Sequence, residues 1–385
     1  MNLNALELSQ ALIRRPSITP EDFGALGVLE DFLNVNGFAC QRLPFYEEGT
    51  PTVDNLYARI GKCAPNFCFA GHTDVVPPGD ITEWASDPFT PEIRDGVLYG
   101  RGAADMKCAI AAFTIAACRF VKMRGIQKLP GSLSLLITGD EEGPAINGTI
   151  KVLKWMQEKG ESIDACLVGE PTNPKNLGEM IKIGRRGSLN AIVKVTGSQG
   201  HVAYPDIADN PVPRLLTFLK AAGDHIFDTG NENFPPTNLE ITSVDVGNPT
   251  TNLIPGHAEA RLNIRFNDEH TGAELSTFLE MLCKKLAGDR SHIDISISGE
   301  SFLTPPGRLS TIVSEAVAHV TGVHPKLSTT GGTSDARFIQ KYCPVIEFGL
   351  INETAHKIDE NARVADILAL TDIYEETLIR YFDAP

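Results

Sequence analysis

The sequence predicts an α/β protein, a mostly parallel sheet flanked by helices, interrupted by a smaller α+β insertion. Three observations argue for it. Through the first half, short apolar runs that end in His or an acid alternate with helical stretches. Near Gly184 the pattern changes to half-buried strands in the order β-α-β-β-α-β, that of a ferredoxin-like unit, and the first pattern then resumes. A chain of 385 residues is too long for one simple core, so two domains are expected. The expected boundaries are 1–183 and 298–385 for the larger domain and 184–297 for the insertion.

The elements follow in order. Leu3, Leu6, Ala11, Leu12 and Ile13 make one face of an opening helix. Strands are expected at 55–60 and 67–70, and an Ala-rich helix, buried on much of its surface, at 102–121. A strand at 132–138, a helix at 149–158 and a strand at 165–168 complete the first half. In the insertion, 188–196 alternates through Leu189, Ala191, Val193 and Val195. A helix opening with prolines follows at 211–222, then strands at 239–246 and 258–266, a helix at 273–286 and a strand at 293–297. Beyond it, helices at 309–320, 335–341 and 365–382 surround a strand at 345–348.

The apolar fraction of 42% and charged fraction of 22% are those of an ordinary globular protein. The net charge of −15 argues against nucleic acid and anionic membranes as partners. It also means that an anionic substrate must be met by local Arg or metal. The eight cysteines form no C-x-x-C pair, and no signal-peptide pattern precedes them. They read as reduced thiols of a cytosolic protein. No apolar run approaches transmembrane length.

Chemistry concentrates at strand ends. The run from Leu135 to Thr138 empties into Asp140, Glu141 and Glu142 and then a Gly-Pro breaker. Adjacent carboxylates repel unless a cation sits among them. Glu141 and Glu142 are neighbours and cannot easily share one job, so one can hold a cation while the other faces what that cation activates. The strand at Phe67–Ala70 runs into Gly71-His72-Thr73-Asp74, where Asp74 falls on the same side as His72 or behind it. Asp105 follows a Gly-rich turn where the Ala-rich helix begins, a place where a helix cap is also common. Glu170 follows Val168-Gly169, and His356 lies in the loop after Phe348-Gly349-Leu350.

In open α/β sheets the site is the crevice outside the carboxyl ends of the strands. His72, Asp105, Glu141/Glu142, Glu170 and His356 therefore converge on one rim. Two His and three carboxylates are ligands enough for two metal ions if one carboxylate bridges. That donor mix suits zinc better than calcium or magnesium, and a zinc pair is a hydrolytic centre. His225, His257, His270, His292, His319 and His324 lack acid partners at strand ends and read as surface or packing residues. His201 is different: it sits in a Gly-rich loop of the insertion, placed to donate a hydrogen bond to a developing oxyanion.

Gly71-His72-Thr73-Asp74-Val75-Val76-Pro77, Gly100-Arg101-Gly102-Ala103-Ala104-Asp105-Met106-Lys107, Asp140-Glu141-Glu142-Gly143 and Gly169-Glu170-Pro171-Thr172 resemble the aminoacylase/carboxypeptidase family of di-zinc hydrolases. The resemblance runs through essentially the whole chain in order. It implies a zinc aminopeptidase-like catalytic domain with an inserted ferredoxin-like lid and dimerisation domain, hence a homodimer. It implies two zinc ions, with cobalt able to substitute. His72 and Glu170 would hold one, Glu142 and His356 the other, with Asp105 bridging. It further implies that Asp74 orients His72, that Glu141 is the general base and that His201 serves the partner's site. The implied reaction is amide hydrolysis of a small anionic N-acyl amino acid. Arg185, Arg186 and Arg265 are candidate anchors for its carboxylates. Asn252, Thr333, Ser334 and Asn352 are candidates for neutral hydrogen bonds. Two positions depart from the family pattern: Cys108 stands where Gly is usual, and Glu353 where a small residue is usual.

Overall fold

The structure is a computed structural model describing residues 4–383. Its chain forms two compact units. One comprises the chain up to Ile183, Thr304–Ser328 and the chain from Ser334; the other comprises Gly184–Leu303 with Thr329–Thr333.

The first unit is built on eight strands. Their spatial order is Ala39–Arg42, Leu56–Ile60, Ser132–Thr138, Asn66–His72, Ala165–Val168, Val345–Glu347, Met180–Lys182 and Lys326–Ser328. Four of the seven neighbour pairings are parallel, so the expected mostly parallel α/β sheet is what the chain forms. The four central strands run in one direction, which puts the ends at Thr138, His72, Val168 and Glu347 on a single edge.

The core centres on the Ala-rich helix Lys107–Arg124, whose small side chains let it sink into the unit and bury almost its whole first three turns. Phe113 stacks on Phe69 of the central strand with centroids 4.3 Å apart, and Tyr374 of the last helix, Val364–Asp383, meets both rings edge-on. Cys108 lies fully buried on this helix, where burial pushes its thiol up to about 12. The helix starts at Lys107 rather than near 102 because Gly100 and Gly102 hold positive φ, and it stops where Gly125 does the same.

The opening helix, Ala5–Ile13, buries Ala5, Leu8, Ser9, Leu12 and Ile13; Leu6 and Ala11 are only half-buried, and Leu3 lies outside the described residues. The capping box of Asn4 and Glu7 sets this phase. The helix expected at 335–341 is a single turn, Ala336–Ile339. No helix among the described residues is long and apolar enough to cross a membrane.

The second unit carries a four-stranded antiparallel sheet ordered Asn238–Asp245, His257–Phe266, Gly187–Thr196, Ser291–Gly299. With helices Pro211–Gly223 and Gly272–Ala287 between its strands, this is the ferredoxin-like arrangement expected. Strict alternation buries Leu189, Ala191, Val193 and Val195 under Phe218 and Leu279, while Asn190 and Lys194 stay exposed.

Candidate active site

His72, Glu142, Glu170 and His356 lie at or just beyond strand ends on the common sheet edge, while Asp105 comes from the turn before helix Lys107–Arg124. His72 is the last residue of its strand and pairs in register with Thr138. Glycines let the next layer close. A Cβ on Gly71 would lie 2.5 Å from Met106 Cε, and one on Gly169 would lie 2.8 Å from it. Met106 thus wedges between the His72 and Glu170 strands and carries Asp105 up to both.

The side chains then converge. His72 Nε2 lies 3.1 Å from Asp105 Oδ1 and 3.6 Å from Glu170 Oε1. His356 Nε2 lies 2.7 Å from Glu142 Oε1 and 3.4 Å from Asp105 Oδ2. One carboxylate therefore faces both imidazoles, a different oxygen toward each, which is what a bridge requires. Ligand atoms of His72, Glu141 and Glu170 lie within 4.8 Å of one another, as do those of His72, Asp105 and Glu142. Two imidazoles among four carboxylates fit a pair of dications in both charge and donor type.

The electrostatics express the same crowding. Burial, and then the charge of Glu170, hold the Glu141 carboxyl well above the usual range. Burial alone would lower His72, but the bond to Asp105 and the charges of Glu170 and Asp105 more than offset it. Hydrogen bonds to Asp105 and Glu142 raise His356 to about 10.

Two acids expected near the ligands do other work. Asp74 meets His72 Nδ1 through its backbone carbonyl, at 2.9 Å, while its carboxylate stays 3.6 Å away. That carboxylate accepts from the amides of Glu141 and Glu142 at 3.3 and 3.0 Å. It fixes the turn on which the two acids diverge. Burial pushes it up to about 7, against the pull of His72 and of the Glu142 amide. Asp140 turns away and accepts from the amides of Ile146 and Asn147. Ser334 is a correction of another kind. It is fully buried and its hydroxyl donates to Glu347 Oε1, so it is not offered to a ligand. Asn352 and Glu353 are exposed on the loop before His356.

Within the second unit, His201 is exposed and its short strand pairs with Leu253–Ile254, next to Asn252. The Ala203 amide donates to His201 Nδ1 at 3.0 Å. A backbone N–H can only donate, so His201 Nδ1 is the acceptor and Nε2 is the ring nitrogen left to act as a donor. Arg186 and Arg265 lie close enough that the second guanidinium adds to burial in lowering the first. Arg186 donates to Asn238 at 2.7 Å. Arg185 is buried against Gly331, in the segment that carries Thr333.

Sequence comparison decides the family: residues 68–380 match the profile of peptidase family M20/M25/M40. The chain belongs to that family. A family M20/M25/M40 chain is a hydrolase, and a relative from Parvibaculum lavamentivorans is named a succinyl-diaminopimelate desuccinylase. It is 56% identical over 381 residues, covering 98% of this chain and 95% of its own. The fold resembles a family M20 metallo-carboxypeptidase from Sulfolobus solfataricus, with TM-score 0.80 at 17% identity over 98% and 99% of the two chains. It also resembles a dinuclear metal binding peptidase of family M20 from Bacillus subtilis, with TM-score 0.70 at 16% identity over 99% and 98%.

Proposed function

We propose that this chain hydrolyses N-succinyl-LL-2,6-diaminopimelate to succinate and LL-2,6-diaminopimelate, a step of diaminopimelate and lysine biosynthesis, as a cytoplasmic homodimer with two zinc ions per chain. The observation that carries the substrate is the near full-length identity to a relative named for this activity. The donor set around Asp105 supports the metal pair. His72 and Glu170 would hold one ion and Glu142 and His356 the other, with Asp105 between them, and cobalt would substitute for zinc.

The zinc pair supplies Lewis acidity for the acyl carbonyl and lowers the pKa of water. Glu141 takes the proton of the attacking water and delivers it to the leaving amine. Asp74 holds the turn that aims Glu141. His201 donates from Nε2 to the tetrahedral oxyanion. Arg185, Arg186 and Arg265, with Asn252, Thr333 and Asn352, take up the substrate's carboxylates and polar groups. A second reading, a deacetylase of N-acyl amino acids such as acetylornithine, shares the zinc chemistry and differs only in the acyl group.

Steady-state kinetics with the two acyl classes separate these readings. The succinyl substrate should exceed an acetyl one in kcat/KM by about 10–100-fold, since a carboxylate bonded to Arg is worth about 1.5–3 kcal/mol. Equal or greater acetyl turnover would replace the first reading with the second.

We also infer that His201 acts on the partner's site. Glu141→Ala and His201→Ala chains, each inactive alone, are unfolded and refolded together. Random pairing makes about half of the dimers mixed, each with one complete site, so about a quarter of wild-type activity should return. Mixed dimers without activity would return His201 to its own chain or remove it from catalysis.

A further inference from the structure

A buried ion pair lies under the ligand loops, and none of the roles above uses it. Glu360 is 0% exposed and Arg101 2%. The Glu360 carboxylate accepts four hydrogen bonds. Its Oε2 takes Arg101 Nη1 at 2.7 Å and the Gly102 amide at 2.9 Å. Its Oε1 takes the amides of Ala104 and Asp105, both at 2.9 Å. Its backbone carbonyl accepts from the Gly100 amide at 2.9 Å. Arg101 spreads the other way, donating to the carbonyls of Lys357 at 3.2 Å and Pro77 at 3.3 Å.

Such a pair is costly to desolvate and is weak evidence for stability as such. What it joins is informative. Pro77 ends the segment that begins at His72; Gly102–Asp105 carries the carboxylate facing both imidazoles; Lys357 and Glu360 belong to the loop of His356. That last loop is left-handed at His356 (φ +62°) and at Asp359 (φ +56°). Residues other than Gly keep such conformations only where their surroundings hold them. Asp359 is tied as well, its carboxylate accepting from the Ala85 amide at 2.9 Å. By contrast, His72 and Glu170 follow directly from paired central strands.

We infer that the Arg101–Glu360 pair positions the Asp105 loop against the His356 loop and thereby sets the fit of the second metal subsite, that of Glu142 and His356. The inference rests on the two-metal reading above. Arg101 and Glu360 touch no reacting group and act only through the ligands they brace, as partners one layer behind metal ligands commonly do.

Metal-stripped wild type and Glu360→Gln are titrated with cobalt(II), followed by calorimetry and by the visible cobalt bands of each site. Wild type should show two sites. In the variant the first Kd should stay within about threefold, while the second rises about 10–100-fold. Excess cobalt should restore most of kcat, because Glu141 is untouched. Arg101→Lys keeps the charge but loses the planar fork, and should shift the second site in the same direction. Equal weakening of both sites, or of neither, overturns the inference. So does failure of both variants to fold, since the pair would then hold the fold rather than the subsite. If only Glu360→Gln fails to fold, Arg101→Lys decides by the same criterion. A wild type that takes up no second ion would instead remove the two-metal reading itself, and the inference with it.

Discussion

Glu141→Gln is expected to keep both metal ions and to lose about 10²–10⁴-fold in kcat, the usual cost of removing a general base. The neighbouring change, Glu142→Gln, should instead weaken metal retention. The backbone shows why two adjacent acids differ. Both amides are fixed by one carboxylate, that of Asp74, so successive side chains leave the turn in different directions. Glu142 reaches His356 at 2.7 Å. Glu141 stands instead with His72 and Glu170. Burial, then the charge of Glu170, raises the Glu141 carboxyl above its ordinary range. Gln preserves the shape and removes the basicity. Metal content by atomic spectroscopy, measured beside kcat, reads the two variants. Equal metal loss in both would show that the two acids share one role.

The sheet and its edge were legible because long apolar strands end in chemistry. Phe67–Ala70 running into His72, and Leu135–Thr138 into three acids, are patterns that periodicity and composition reveal. The edge strands Ala39–Arg42 and Lys326–Ser328, and Met180–Lys182 beside the latter, were not legible. Three or four residues are too few to show a period. The predicted start near 102 precedes the observed Lys107 because the Ala-rich run continues backward through a Gly turn that only tertiary contacts hold open.

Side-chain partners were the least legible part of the site. Asp74 lies beside His72 in sequence, yet its carboxylate belongs to a turn 67 residues away. Ser334 sits in a polar Gly-rich stretch that suggests a ligand loop, yet its hydroxyl faces the buried Glu347. Glu360 is an acid in a charged loop, with no sequence signal that distinguishes it from a solvated one. In each case a residue's type was visible and its direction was not, because direction is set by packing with distant segments.

Removing metal should abolish activity, and zinc or cobalt should restore it with a defined pH dependence. The groups that must bind a cation are those that crowding makes hold protons. Burial pulls His72 down, but the Asp105 bond and the charges of Glu170 and Asp105 leave it raised. His356 is raised to about 10 by its bonds to Asp105 and Glu142. Ligation needs neutral imidazoles and ionised carboxylates, so metal uptake must expel these protons. The sign follows. These groups are protonated in the metal-free chain and deprotonated in the loaded one, so affinity rises with pH, about tenfold per unit for each proton released. The rise should persist through neutral pH and fade as the pH approaches the raised value of His356. Metal at about 100 times its Kd should also stabilise the chain by about 2.7 kcal/mol, seen as a higher melting temperature. Calorimetry in two buffers of different ionisation enthalpy counts the protons directly. Uptake with no proton release, or hydrolysis that survives complete chelation, would mean that the converging imidazoles and carboxylates are not the metal site.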